Sequence, residues 1–226
     1  MKKFGFTLAE VLITLGIIGV VAAMTMPTLL TKINEKIMVN KLKKFYSTMA
    51  QAVKLNMEQN PGDFYTTDRF LDTFTIKTIC TGNDTSCAPS IYRYPSGGLM
   101  RDWGINDSKR NGTQYAILAD GSIIRYTHVN VGPAGISGTC QGVFGTGDAL
   151  QSVCAEVSVD LNGNKLPNTP GKDLFYFFVT SYGVVPSGGV DITDVNSTFA
   201  KCKTMGYGCT TYVLRFGTLD YDKNKF

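Results

Sequence analysis

The chain opens with two kinds of hydrophobic pattern placed end to end. From Val11 to Thr31 no side chain is charged and most are apolar, a run long enough to cross a bilayer as a helix. Beyond it Ile33, Ile37, Phe45, Met49, Val53 and Met57 recur at spacings of four or eight, the stripe of an amphipathic helix that needs a partner surface. Asn60-Pro61-Gly62 then supplies strong stop signals. One helix from Phe6 to about Gln59 is therefore expected, ~80 Å long at 1.5 Å per residue. Residues 6–31 form its membrane half and 32–60 its amphipathic half. Gly16, Gly19 and Pro27 weaken the membrane half, and Pro27 removes one helical hydrogen bond, which bends or locally melts a rod.

The pattern changes after the helix. Residues 61–112 are poorly patterned; Thr67–Phe74 fits a short helix, and Trp103 fits a half-buried lid or an exposed anchor. From Thr113 the period is that of strands. Residues 114–118 and 123–126 flank Asp120-Gly121, a dipeptide favoured in tight type I′ hairpins. Residues 156–160 alternate with period two, Leu174–Val179 reads as a central buried strand, and Thr211–Phe216 as a last one. A short helix is expected over 194–203. The whole predicts an α+β fold: a long N-terminal helix packed against an antiparallel sheet of about four to five strands, in a globular region spanning 61–226.

One residue in the apolar half does not fit hydrocarbon. Glu10 lies at its start, and a charged side chain at bilayer depth costs roughly 2.5–3.5 kcal/mol. Around it the sequence reads Lys2-Lys3-Phe4-Gly5-Phe6-Thr7-Leu8-Ala9-Glu10-Val11-Leu12-Ile13. This stretch resembles the start of the type IV pilins and type II secretion pseudopilins. The resemblance implies a leader of residues 1–5, cleavage by a membrane peptidase between Gly5 and Phe6, and methylation of the new amino terminus on Phe6. Glu10 falls at the family's glutamate, five residues into the processed chain, and Pro27 at its helix-kinking proline. The likeness covers about the first thirty residues and thins to a general plan beyond them. A secretory signal cut before Met24, or an uncleaved anchor, is the alternative reading of the same residues.

The implied chemistry has a physical rationale. Cleavage exposes an ammonium on Phe6, about one helical turn from Glu10. In staggered helices the ammonium of one subunit can neutralise the Glu10 of its neighbour. Breaking a buried pair of that kind costs ~3–5 kcal/mol. Glu10 then sets register and catalyses nothing.

Charge and cysteines refine the setting. The formal net charge of +4 falls by two if Lys2 and Lys3 are removed, too weak a balance to indicate nucleic acid. Aromatic residues at 11% and charged residues at 18% suit a folded domain better than a disordered tail. Six cysteines fall into three close pairs, Cys80 with Cys87, Cys140 with Cys154 and Cys202 with Cys209. Fifteen connectivities are formally open, and the local one closes the loops at least entropic cost. Disulfides place the domain in an oxidising space. Lys32, Lys36, Lys41, Lys43 and Lys44 outnumber Lys2 and Lys3, and the positive-inside rule alone would orient the chain the other way. The cysteines and the resemblance outweigh it, giving a single-pass inner-membrane protein with a periplasmic domain. Narrow cysteine spacing near the C-terminus departs from the wider family pattern and points to a minor pilin or pseudopilin.

Asp160-Leu161-Asn162-Gly163-Asn164, with Asp173 downstream, offers oxygen ligands around a turn. A calcium site on Asp160, Asn162 and Asp173 is one reading; an ordinary Asn-Gly turn is the simpler, since the EF-hand spacing is missing. No cofactor is otherwise implied. Nucleophile-elbow, zinc-protease and phosphate-loop motifs are absent, and the single histidine, His128, lies at a strand end. The expectation is a non-enzymatic filament subunit of a pilus or secretion pseudopilus. Its partners are other pilin subunits, the prepilin peptidase and methyltransferase, and an inner-membrane assembly platform. A tip adhesin, a DNA-uptake minor pilin and a membrane-anchored protein of other function are the alternatives.

Overall fold

A computed structural model of the chain describes residues 5, 7–60, 71–80, 87, 91–100, 113–128, 140, 147–188 and 195–221. It divides into two compact units, Met1–Ile37 and Met38–Phe226. The expected helix is continuous: α1 runs Leu8–Gln59 with Pro27 inside it. In the first unit its apolar side chains, Leu12, Ile13, Leu15 and Ile17 among them, are exposed. Threonine hydroxyls there turn back onto the helix, Thr14 to the Val11 carbonyl (3.0 Å), Thr25 to that of Val21 (3.0 Å) and Thr31 to that of Pro27 (2.9 Å). That local satisfaction makes them tolerable in apolar surroundings.

In the second unit, α1 packs on a six-stranded sheet. The strands are β1 (Ile76–Cys80), β4 (Thr113–Leu118), β5 (Ile123–His128), β6 (Val153–Asp160), β7 (Leu174–Thr180) and β8 (Gly183–Pro186). Their spatial order is β1-β4-β5-β6-β7-β8, and every pairing is antiparallel. A separate ribbon pairs β2 (Tyr92–Arg93) with β3 (Leu99–Met100). The architecture is the α+β plan expected, with six main strands where four or five were predicted. The additions are the edges: β1, largely exposed, and β8, four residues ending in Pro186. Neither carries a long period-two signal.

The helix face differs from the predicted stripe in a way helix geometry explains. In this second unit Val39, Leu42, Phe45, Met49, Ala52, Val53 and Asn56 are buried; Ile33 and Ile37 of the predicted stripe belong to the first unit, where they are 43% and 45% exposed. At 3.6 residues per turn, a strict spacing of four drifts by ~40° per step. Contact with a fixed sheet must therefore alternate threes with fours. Against this face stand Ala116, Ile124, Tyr126, Val157, Val159, Phe175 and Phe177. Phe177 meets Phe45 and Tyr46 at ring-centroid distances of 5.6 and 6.0 Å.

The β4–β5 hairpin forms where predicted but not with a type I′ turn. Among the described residues Asn168 is the one non-glycine with positive φ, so Asp120 lacks the positive φ that type I′ demands. Instead the Gly121 N–H donates to the Leu118 carbonyl (3.0 Å) and the Leu118 N–H to that of Ser122 (2.8 Å). With Gly121 at φ 84°, Ala119-Asp120-Gly121 is a three-residue loop of the bulged kind.

The predicted strand over Thr211–Phe216 is instead helical. Helix α2 (Val195–Thr204), at the site of the expected short helix, is followed by α3 (Cys209–Phe216). The run Thr-Thr-Tyr-Val favours strands by composition, but Cys209, Tyr212, Val213 and Phe216 fall at i, i+3, i+4 and i+7, one helical face. Cys209, Tyr212 and Val213 are buried in the core and Phe216 packs on it. Gly217 at φ 66° closes the helix with its N–H on the Val213 carbonyl. Tyr212 joins Phe199, Phe216 and Tyr221 at 5.2, 4.8 and 5.0 Å.

The predicted helix over Thr67–Phe74 lies partly outside the described residues; Leu71 and Asp72 are helical. Trp103 lies outside them altogether.

Candidate functional site

Two constellations carry the chemistry. The first opens α1. Thr7 precedes the helix, and its N–H and hydroxyl both donate to Glu10 Oε2 at 2.8 Å, while the Glu10 N–H donates to Thr7 Oγ1 at 3.3 Å. This is a capping box, which satisfies donors that a helix start otherwise leaves unpaired. Glu10 is thus held by its own chain. Sequence reasoning singled out the acid and missed its local partner, although Thr-x-x-Glu ahead of an apolar run is the capping signature. Gly5 is exposed, and Lys2, Lys3 and Phe6 lie outside the described residues. The apolar part of α1 is long and apolar enough to cross a membrane, and none of it is buried within the chain.

The second constellation is buried in the sheet unit. Strand β6 alternates in sequence but is covered on both faces: Ser158 is 1% and Asp160 0% exposed. The cover is the β2–β3 ribbon, whose Tyr92 and Met100 pack on Leu174 and Tyr176. The Tyr92 hydroxyl donates to Asp160 Oδ2 (3.0 Å), and the Asn162 N–H to Asp160 Oδ1 (3.2 Å). Asp173 accepts the Asn168 N–H (2.8 Å) and the Thr169 N–H (2.6 Å), together with the Asn162 side chain. The three residues predicted as calcium ligands therefore meet in one cluster. Tyr92, 68 positions from Asp160, joins them with no signal in the sequence.

Electrostatics make the cluster unusual. Burial, and then the neighbouring Asp173 charge, push Asp160 up to about 8 against three hydrogen bonds that pull it down. Burial likewise raises Asp173, and burial with the Asp160 charge keeps Tyr92 protonated as a donor. Two amide oxygens, Asn162 Oδ1 and Asn168 Oδ1, are buried without a hydrogen-bond partner. Among the described residues no group of three or more His, Cys, Asp or Glu is placed to hold a metal. A cation here would rest on two carboxylates and amide oxygens, a donor set right in kind for a hard ion.

Asp160 yields a signed prediction. Its unfolded value is near 3.8 and its folded value about 8, so between those limits the folded chain binds more protons than the unfolded one. Raising pH through that window therefore erodes stability, and the erosion is complete above about 8. Asp160→Asn keeps an acceptor for Tyr92 and removes the charge. It is expected to raise the melting temperature at pH 8, by an amount worth on the order of 1 kcal/mol or more, and to change it little at pH 4. Equal effects at the two pH values would contradict this electrostatic account.

Elsewhere, the cysteines stand as three local pairs with Cα separations of 6.1 Å (Cys80 and Cys87), 4.0 Å (Cys140 and Cys154) and 5.2 Å (Cys202 and Cys209). The last spans the connection from α2 to α3. His128 ends β5 opposite Ala155.

Residues 1–26 match the family described as Prokaryotic N-terminal methylation motif. The chain thus carries the prepilin-type methylation motif, followed by a long apolar helix, and the two together fit a membrane-anchored protein of the type IV pilin or pseudopilin kind. The match ends within α1 and does not extend into the sheet unit. No curated protein and no solved structure matches the chain.

Proposed function

We propose that this protein is a structural subunit of a type IV pilus-like filament or a type II secretion pseudopilus. The observation that carries the reading is the junction itself: Gly5-Phe6, then a capped helix start at Thr7 and Glu10, then an exposed apolar helix that continues into the packed half of α1. A prepilin peptidase cuts between Gly5 and Phe6, and methylation follows on Phe6. The subunit leaves an inner-membrane assembly platform by packing its helix against other subunits, with Glu10 pairing with a neighbour's Phe6 ammonium and Pro27 inside the packed rod. The sheet unit faces the periplasm, where the three cysteine pairs form disulfides, and it takes no part in catalysis.

Mass spectrometry of the mature N-terminus from the native host tests this directly. N-methylated Phe6 is expected, and a chain beginning at Met1 or Met24 would overturn the assignment.

The buried cluster of Asp160, Asn162 and Asp173 supports a subsidiary proposal, that it holds calcium. Millimolar calcium should then raise the melting temperature at pH 9, where Asp160 is mostly ionised, and do so less at pH 5. No shift at either pH removes calcium from the account.

A further inference from the structure

One end of the sheet unit gathers lysines and exposed apolar surface. The β4–β5 loop and the long β6–β7 connection meet there: a Cβ on Gly163 would lie 2.5 Å from the Gly121 carbonyl oxygen. Lys41, on α1, ties into the same place by donating to the Leu161 carbonyl at 2.8 Å. Between these segments lies a cavity of about 270 Å³, whose lining includes Lys41, Lys44, Thr48, Thr73 and Ser122, with Asp120 as its one carboxylate. Among the described residues neither lysine has an ion pair within this end. Leu161 of the β6–β7 connection lines the cavity, and farther along the same connection are Lys165, exposed, and Leu166, 82% exposed.

We propose that this end of the domain docks on an anionic phospholipid surface, with Lys41 and Lys44 taking a headgroup phosphate in the cavity and Leu166 entering the acyl boundary. An exposed leucine next to Lys165, on the connection that Lys41 bonds at Leu161, suits the headgroup layer, where apolar insertion and attraction to anionic lipid add together. It does not suit an acidic protein surface, which would pair the lysines and leave the leucine without a use. Chain continuity favours the same occupant: Lys41 follows the end of the apolar run at Thr31 by ten positions, with Lys32 and Lys36 between them. The hydroxyls of Thr48 and Thr73 in the cavity can donate to phosphate oxygens as well. The docking requires membrane anchorage but not filament assembly, so it stands or falls separately from the cleavage at Gly5.

Hydrogen exchange on the full chain, reconstituted in vesicles of phosphatidylcholine with or without phosphatidylglycerol, tests the proposal. Amides of Asn164–Leu166 are expected to exchange about threefold or more slowly when the anionic lipid is present. High salt and a Lys41→Gln, Lys44→Gln, Lys165→Gln variant should each abolish that protection. Leu166→Ser should reduce it while leaving the lysines in place. Equal exchange in the two vesicle types would overturn the proposal. So would protection conferred by soluble glycerol phosphate alone, which would mark a simple anion pocket, or protection found only in assembled filaments regardless of lipid, which would assign the surface to a neighbouring subunit.

Discussion

A Glu10→Leu variant is expected to fold its sheet unit normally and accumulate in the membrane, yet to be depleted from filaments by at least about tenfold, since losing one partner of a buried ion pair costs well over the ~1.4 kcal/mol that tenfold requires. Two mechanisms could produce that loss. Leucine removes the charge that meets a neighbour's Phe6 ammonium, and it also removes the carboxylate that caps the helix through Thr7. Glu10→Gln separates them, because glutamine at the third helical position can complete a capping box but cannot neutralise an ammonium. Immunoblots of sheared filaments against membrane pools should show the glutamine variant nearly as depleted as the leucine variant. Incorporation at the wild-type level would mean that Glu10 serves the helix start and that no intersubunit pair forms. Thr7→Ala probes the other half: it removes the cap, keeps the charge, and should lower incorporation far less.

The second large effect lies in the domain core. Phe177→Ala should destabilise the sheet unit by about 3–5 kcal/mol, the usual cost of deleting a buried phenyl ring. Phe177 is fully buried in β7 and contacts both Phe45 and Tyr46 of α1, so the resulting cavity opens where helix and sheet join. Thermal denaturation followed by circular dichroism should show the melting temperature falling by about 10 °C. The adjacent Phe178 provides a control for the register. It points to the other face of the sheet and is only half-buried beside Leu150 and Val185, so Phe178→Ala should cost less than half as much. Equal losses at the two positions would contradict the alternation that places β7 against the helix.

Much of the fold could be read directly from the residues because it depends on local periodicity. The uncharged run Val11–Thr31, the stop at Asn60-Pro61-Gly62, the strands flanking Asp120-Gly121 and the apolar block Leu174–Val179 all concern neighbours in the chain, and each stands where expected. The Thr211–Phe216 run is helical although its composition favours a strand, because its spacing sets one apolar face. Tyr212, Val213 and Phe216 already lie on one helical face with Cys209, and the flanking glycines Gly208 and Gly217 are suited to closing a short helix.

For the candidate sites the division is sharper. The N-terminal chemistry is contiguous, so Gly5, Phe6, Thr7 and Glu10 are legible in the chain, and the spacing Thr-x-x-Glu carries the cap as well. The buried cluster was only half visible. Asp160, Asn162 and Asp173 stand out as oxygen donors in the sequence, but nothing near them announces that both carboxylates are buried or that Tyr92 arrives from a separate ribbon.

By itself, then, the amino-acid order determined the long helix, the terminus that resembles a prepilin, the antiparallel character of the sheet and the turn that carries Asn162. Only the tertiary structure decided that β6 is buried on both sides, that two carboxylates oppose one another beneath Tyr92, and that lysines and Leu166 share one end of the domain. The reason is physical. Periodicity reports which side of an element is apolar, whereas burial of the polar side depends on what distant chain happens to cover it. Desolvation and charge coupling follow from that cover and from nothing nearer in the sequence.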